Sequence, residues 1–74
     1  MKKLNVGDKV LVIKEGNEDV WVYSMNKTIG KIGTVTETTD AYREYGTLYE
    51  LKFDSISGRW LYHPDSFIKL EEIK

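Results

Sequence analysis

The stretch Gly30-Lys31-Ile32-Gly33-Thr34-Val35-Thr36 decides the fold of this chain. Its two glycines permit a sharp turn and a close approach of the backbone at the point where an extended, β-branched run begins. One strand and a long excursion precede this stretch, and three further short strands follow it. We therefore predict a small all-β barrel of five strands, with Gly30 and Gly33 as structural residues at its corner.

The size and composition are those of one small domain. The chain has 74 residues, 41% of them apolar, and contains two Trp, five Tyr and two Phe. At this length only roughly 60% of the unfolded surface is buried on folding, so the core is lean and depends on its aromatic rings. No repeat or linker divides the sequence, and we predict one domain over residues 1–74 with its core at about 6–70.

Charge and cysteine content restrict the classes of function. Eleven Lys and Arg against twelve Asp and Glu give a net charge of −1, so no general positive field attracts phosphate backbones. Cysteine is absent, which excludes disulfides and thiolate chemistry and fits a reducing compartment. The longest apolar run, Val10-Leu11-Val12-Ile13, is too short for a signal peptide or a membrane span. We expect a cytoplasmic protein.

Apolar patterning predicts where the strands lie. The third strand shows the clearest alternation, because Tyr49, Leu51 and Phe53 share one face and charged residues occupy the other. The first strand is apolar and mostly β-branched through its middle, which predicts burial of both of its faces. In the last strand Ile68 and Leu70 face the same way. The five predicted strands are Lys9–Lys14, Ile32–Thr38, Tyr49–Phe53, Arg59–His63 and Ile68–Leu70.

Residues 15–29 form a long excursion between the first two strands. Its polar apex is Glu15–Asp19, and Val20–Tyr23 then has extended character. Ser24 is a suitable N-cap for one helical turn, which Gly30 ends as a left-handed cap. The excursion is therefore predicted to carry its own local structure.

Gly7 and Pro64 are two further structural positions. Gly7 lies in a turn signal directly before the first strand. Pro64 ends the fourth strand, and Asp65–Phe67 suits a single 3₁₀ turn before the last strand. A polar hairpin loop, Thr39–Gly46, joins the second and third strands.

Three segments resemble those of SH3-like barrels. They are Gly7-Asp8-Lys9-Val10, Gly30-Lys31-Ile32-Gly33-Thr34-Val35 and Tyr49-Glu50-Leu51-Lys52-Phe53-Asp54. Similar segments occur in the mind-bomb repeat and in photosystem accessory subunits of the PsaE type. The run from Trp21 to Val35 looks most like small phage-encoded proteins of this class. The resemblance covers about residues 6–70 and implies a five-stranded SH3-like barrel with a long loop after strand one and a 3₁₀ turn before the last strand.

Residues suited to catalysis are few. His63 is the only histidine, and a general base needs both an orienting partner and a target nucleophile. The serines lie at predicted cap and turn positions, where local hydrogen bonding accounts for them without a role as a nucleophile. Gly30 and Gly33 lead into a strand rather than a helix, so they do not form a phosphate-binding loop. We expect no enzyme activity, no metal and no cofactor.

Aromatic residues exceed what so small a barrel can enclose. Barrels that this chain resembles bind partners in the groove beside the long first loop, and Trp and Tyr dominate such contacts. For the two tryptophans, capping a barrel end and contacting a partner are two open alternatives. Arg43 adds a polar contact beside the loop tyrosines. The predicted binding residues are Trp21, Tyr23, Tyr42, Arg43, Tyr45, Trp60 and Tyr62.

Three functions follow as hypotheses. The first is a non-enzymatic protein-interaction module, a phage early protein that binds a host factor in the host cytoplasm. The second is single-stranded nucleic-acid binding by aromatic stacking along Lys27, Lys31, Lys52 and Arg59, which the net charge disfavours. The third is an oligomer that sequesters a signalling nucleotide at subunit edges, because open strand edges favour self-association.

Overall fold

The computed structural model describes residues 4–40 and 43–70. Within these residues three short 3₁₀ helices connect the strands: the first spans Tyr23–Thr28, the second Arg43–Tyr45 and the third Pro64–Ser66. The strands are β1 (Lys9–Val12), β2 (Ile32–Thr39), β3 (Leu48–Lys52), β4 (Arg59–Tyr62) and β5 (Phe67–Lys69). The all-β prediction with five strands is confirmed.

All five strands form one antiparallel sheet in the order β4-β3-β2-β1-β5. The first four strands are a meander, and β5 returns to pair with β1, where Ile68 lies opposite Leu11. Within the described residues β4 and β5 do not pair with each other, so they are the two edges of an open sheet. Closure into a barrel stays a prediction.

The core lies on one face of this sheet. The alternation predicted for the third strand is confirmed, since Tyr49, Leu51 and Phe53 are all buried. The prediction that both faces of the first strand are buried is wrong. Val10 and Val12 have no exposed surface, whereas Leu11 between them is only partly buried and Ile13, directly after β1, is 43% exposed, because the described elements cover only the inner face of β1.

The chain around Pro64 differs by one residue from the prediction. The third 3₁₀ helix begins at Pro64, whose fixed φ suits a first helical position, and His63 Nδ1 accepts a hydrogen bond from the Asp65 backbone N–H at 3.2 Å. Phe67 therefore joins β5 and buries its ring in the core, while Ile68 lies on the outer face. The predicted structural role of Pro64 at this turn agrees with its position.

The glycines of the corner have two different roles. Gly30 has φ +86°, a left-handed conformation that favours glycine, and Gly7 has φ +99°. Gly33 is required because it has no side chain: a Cβ at this position would lie 2.9 Å from Phe53 Cε2. The turn and the close packing predicted for this stretch are thus made by separate residues.

We expect Gly33→Ala to lower the free energy of unfolding by about 1–3 kcal/mol, because the new methyl group overpacks the Phe53 ring. Urea denaturation followed by circular dichroism measures the loss. Phe53→Leu in the same chain is the control, since a smaller side chain makes room for the methyl group and the alanine then costs less. If Gly33→Ala lowers the free energy of unfolding equally in the wild-type and the Phe53→Leu backgrounds, the proposed contact with the Phe53 ring is contradicted.

Candidate functional site: a groove at the open edge of β4

The helical turn predicted within the excursion after β1 is present as the first 3₁₀ helix, with Gly30 in a left-handed conformation after it, but the segment before it differs from the prediction. Val20 lies in a turn, and the first 3₁₀ helix begins at Tyr23, so the extended segment Val20–Tyr23 is not a strand. The N-cap is Val22 rather than Ser24, and its backbone N–H donates to Met25 Sδ at 3.3 Å. A buried methionine sulfur therefore stabilises the start of this helix.

A buried chain of hydroxyl groups joins β4 to the first 3₁₀ helix. The Tyr62 hydroxyl donates to Thr28 Oγ1 at 2.9 Å, and the Thr28 hydroxyl donates to the Met25 carbonyl oxygen at 2.6 Å. Tyr62 and Thr28 have no exposed surface. Tyr62 was predicted to contact a partner, but it is a core residue, because the polar end of its ring has a partner inside the protein.

Trp21 supports this arrangement from the side. Its ring meets Tyr62 edge to face at a centroid distance of 5.8 Å, and its Nε1 donates to Asn26 Oδ1 at 2.7 Å. The indole is only partly buried, but its polar atom is already occupied. Of the two alternatives for Trp21, packing against the core is the one that the contacts favour.

A groove of about 590 Å³ lies between the excursion, the second 3₁₀ helix and β4. Three consecutive residues of β4 line it, although consecutive side chains of a strand point to opposite faces. The groove therefore meets β4 at its open edge, where no other strand of the described residues pairs with it. Its lining consists of Asp19, Val20, Val22, Met25, Glu44, Tyr45, Leu48, Arg59, Trp60 and Leu61.

Carboxylates give one wall of the groove a negative charge. The pKa of the Tyr45 phenol is raised above its ordinary value by desolvation, by the charges of Asp19 and Glu44, and by a hydrogen bond to Asp19. Loss of the phenol proton is disfavoured because it would place a further negative charge beside these two carboxylates. The same field favours a cation from a partner.

The cations near the groove are already engaged. Arg59 Nη1 lies 3.7 Å from Glu50 Oε1, and Lys27 Nζ lies 5.6 Å from the centroid of the Trp60 ring. The lysine covers Trp60 as an exposed cation–π contact, which is worth about 0.5–1 kcal/mol.

The structure brings together two of the predicted binding residues. Tyr45 and Trp60 line the groove, whereas Tyr23 is 87% exposed and does not line it. Arg43 is the first residue of the second 3₁₀ helix, which ends at Tyr45, and Tyr42 lies outside the described residues. The sequence analysis missed Asp19 and Leu61. The acidic apex Glu15–Asp19 was the one signal that pointed to Asp19.

Other chemistry finds little support in the described parts of the chain. His63 Nδ1 accepts from a backbone N–H in its own turn, which is a capping role. Across residues 4–40 and 43–70 no group of three or more His, Asp or Glu side chains is arranged to hold a metal ion. Within the same ranges no helix has the length and apolar character needed to cross a membrane.

Comparisons of the chain with protein-family models, curated proteins and solved structures gave no match.

The pH dependence of stability tests the burial of Tyr62. Burial raises the pKa of its phenol above the ordinary value of about 10. Because the folded-state pKa is the higher one, this contribution to stability is complete below pH about 10 and is lost as the pH rises through the folded-state pKa. We expect the free energy of unfolding in urea to fall less steeply above pH about 10 in Tyr62→Phe than in the wild type.

Tyr23→Phe is the matched control, because it removes the same hydroxyl from an exposed ring. Its alkaline loss of stability should equal that of the wild type. Equal slopes in all three proteins would show that Tyr62 ionises as freely in the folded state as in the unfolded one.

Proposed function

We propose that this protein is a non-enzymatic interaction module that binds an extended segment of a partner protein in the groove along β4. The observation that carries the proposal is the groove itself, in which Tyr45 and Trp60 flank the open edge of a strand. Aromatic side chains provide large, rigid contacts at low entropic cost and dominate the energy of protein interfaces.

The open edge supports an extended ligand. Among the described residues no strand pairs with the outer edge of β4, and an extended segment would satisfy the backbone donors and acceptors there by adding to the sheet. Leu61 and Val20 supply apolar surface for alternate side chains of such a segment. A helix at this position would leave the backbone groups of β4 unpaired.

The charge of the groove supports a basic residue in the ligand. Asp19 and Glu44 lie on its wall and both act on the Tyr45 phenol, so a Lys or Arg of the partner would face two carboxylates. A charged partner at this rim contributes to specificity and association rate more than to affinity.

The finer assignment of the fold is part of this proposal. We infer an SH3-like barrel from the strand order, from the long excursion between β1 and β2 and from the 3₁₀ helix directly before β5. The phage-like run at residues 21–35 supports a host protein as the source of the bound segment.

Selection from a random peptide library displayed on phage tests the proposal, with the immobilised full chain as bait. We expect the enriched peptides to carry Lys or Arg among apolar residues. Tyr45→Ala should weaken their binding about tenfold, as expected for a contact worth more than 1 kcal/mol, and Asp19→Asn about threefold to fivefold. Tyr23→Ala is the control, since it removes an equally large exposed ring outside the groove.

The two tryptophans give an independent readout in a ¹H–¹⁵N spectrum. Binding should shift the Trp60 indole signal and leave that of Trp21, whose N–H is bonded to Asn26, nearly unchanged. Selected peptides that are acidic, or that tolerate Tyr45→Ala as well as Tyr23→Ala, would overturn the proposal.

A further inference from the structure

The outer face of the sheet carries an apolar row across three strands. Leu11 of β1 pairs with Ile32 of β2 on one side and with Ile68 of β5 on the other. Its neighbours Val10 and Val12 are buried in the core, so Leu11 and its two partners point outward. Ile32 is 54% exposed and Ile68 is 38% exposed. We call these three side chains the aliphatic row.

A basic row runs beside the aliphatic row. The register places Lys9 opposite Thr34, Thr34 opposite Lys52, and Lys52 opposite Arg59, so one line crosses β1, β2, β3 and β4. The hydrogen bond of 2.8 Å from Lys9 Nζ to Thr34 Oγ1 confirms that these side chains share the outer face. We call Lys9, Lys52 and Arg59 the basic row.

The basic row costs stability in the free protein. Lys52 and Arg59 are like charges directly opposite each other, an arrangement that destabilises a sheet. Arg59 is partly compensated by Glu50, but Lys52 makes no ion pair within the described residues. A chain with a net charge of −1 thus keeps three exposed cations in one line, which a negatively charged ligand would relieve.

The two rows lie side by side. In both β1 and β2 they are two residues apart, about 7 Å along the strand. A ligand that matches both must present an apolar stripe and an acidic stripe next to each other. An extended segment puts alternate side chains on opposite faces, whereas a helix carries adjacent stripes along its length. The helical pitch of about 5.4 Å is also close to the strand spacing of about 4.8 Å.

We propose that this outer face docks an amphipathic helix of a partner protein, with acidic residues along one flank of its apolar stripe. The helix crosses the strands, so that successive turns place apolar side chains on Ile68, Leu11 and Ile32. Its carboxylates face the basic row. This surface shares Arg59 with the groove at β4, but its aliphatic row lies on β1, β2 and β5, and the proposal does not rest on the function proposed above.

A second copy of the chain and a nucleic acid fit this surface less well. The described residues contain only short 3₁₀ helices, and the longest spans six residues, so they supply no such helix. Neither row contains an aromatic ring on which bases could stack, and a nucleic acid would leave the aliphatic row uncovered.

The test uses two fluorescein-labelled synthetic helices of about 16 residues, rich in alanine, with leucines along one stripe. One probe carries glutamates along the flank, and the other carries lysines at the same positions. In fluorescence anisotropy with the full chain we expect the glutamate helix to bind at least tenfold more tightly than the lysine helix. Amide shifts in a ¹H–¹⁵N spectrum should centre on β1, β2 and β5.

Variants of the two rows sharpen the result. Lys52→Gln should weaken binding of the glutamate helix about threefold. Ile32→Thr should weaken it about fivefold, and because threonine is also β-branched, this substitution keeps a residue that suits a strand. Ser24→Glu changes the net charge by the same amount as Lys52→Gln but lies outside both rows, so it should leave the affinity unchanged.

Several results would overturn the proposal. Equal affinities for the two helices, equal effects of Lys52→Gln and Ser24→Glu, or no binding at millimolar protein would each do so. Vesicles containing phosphatidylglycerol and a labelled oligothymidylate are measured in parallel. If either of them binds through Lys52 and the glutamate helix does not, the surface serves a membrane or a nucleic acid instead.

Discussion

The hydrogen bond between Tyr62 and Thr28 is the contact on which the arrangement of the site depends. It links the last residue of β4 to the end of the first 3₁₀ helix, across 34 positions of sequence and without exposure to water. Leaving a buried hydroxyl without a hydrogen-bond partner costs about 1–3 kcal/mol of folding free energy, so separating Tyr62 from Thr28 is unfavourable. The excursion is thereby fixed beside the open edge of β4, and the groove is the space between them.

The same contact divides the aromatic residues into two groups. Tyr62 and Trp21 are used internally, since both have hydrogen-bond partners within the excursion. Trp60 and Tyr45 line the groove, where Tyr45 lies beside the carboxylates of Asp19 and Glu44 and Lys27 lies over the Trp60 ring. The two faces of the sheet differ in a similar way. The inner face is filled by the core, and the outer face shows parallel apolar and basic rows.

Alternation of apolar and charged residues predicted burial correctly where one face of a strand is exposed to solvent. Tyr49, Leu51 and Phe53 were placed correctly because their neighbours are charged. It was a poor guide to Val20–Tyr23, where the local structure depends on contacts with Met25 and Asn26 that alternation does not encode.

The candidate site was predictable only in part, because it too depends on contacts between residues that alternation does not encode. Aromatic content indicated that some rings lie outside, but not which ones. Tyr62 was misplaced because its burial requires Thr28, far away in sequence. The outer rows follow from register, and the register between β3 and β4 was not deducible from the turn sequence alone.

A double-mutant cycle on Tyr62 and Thr28 tests the central contact most directly. The free energy of unfolding in urea is compared for the wild type, Tyr62→Phe, Thr28→Val and the double variant. The account predicts a coupling energy of about 1 kcal/mol, with the double variant less destabilised than the sum of the single ones. Strictly additive losses would show that the two hydroxyls do not interact, and the excursion would then have no such anchor on β4.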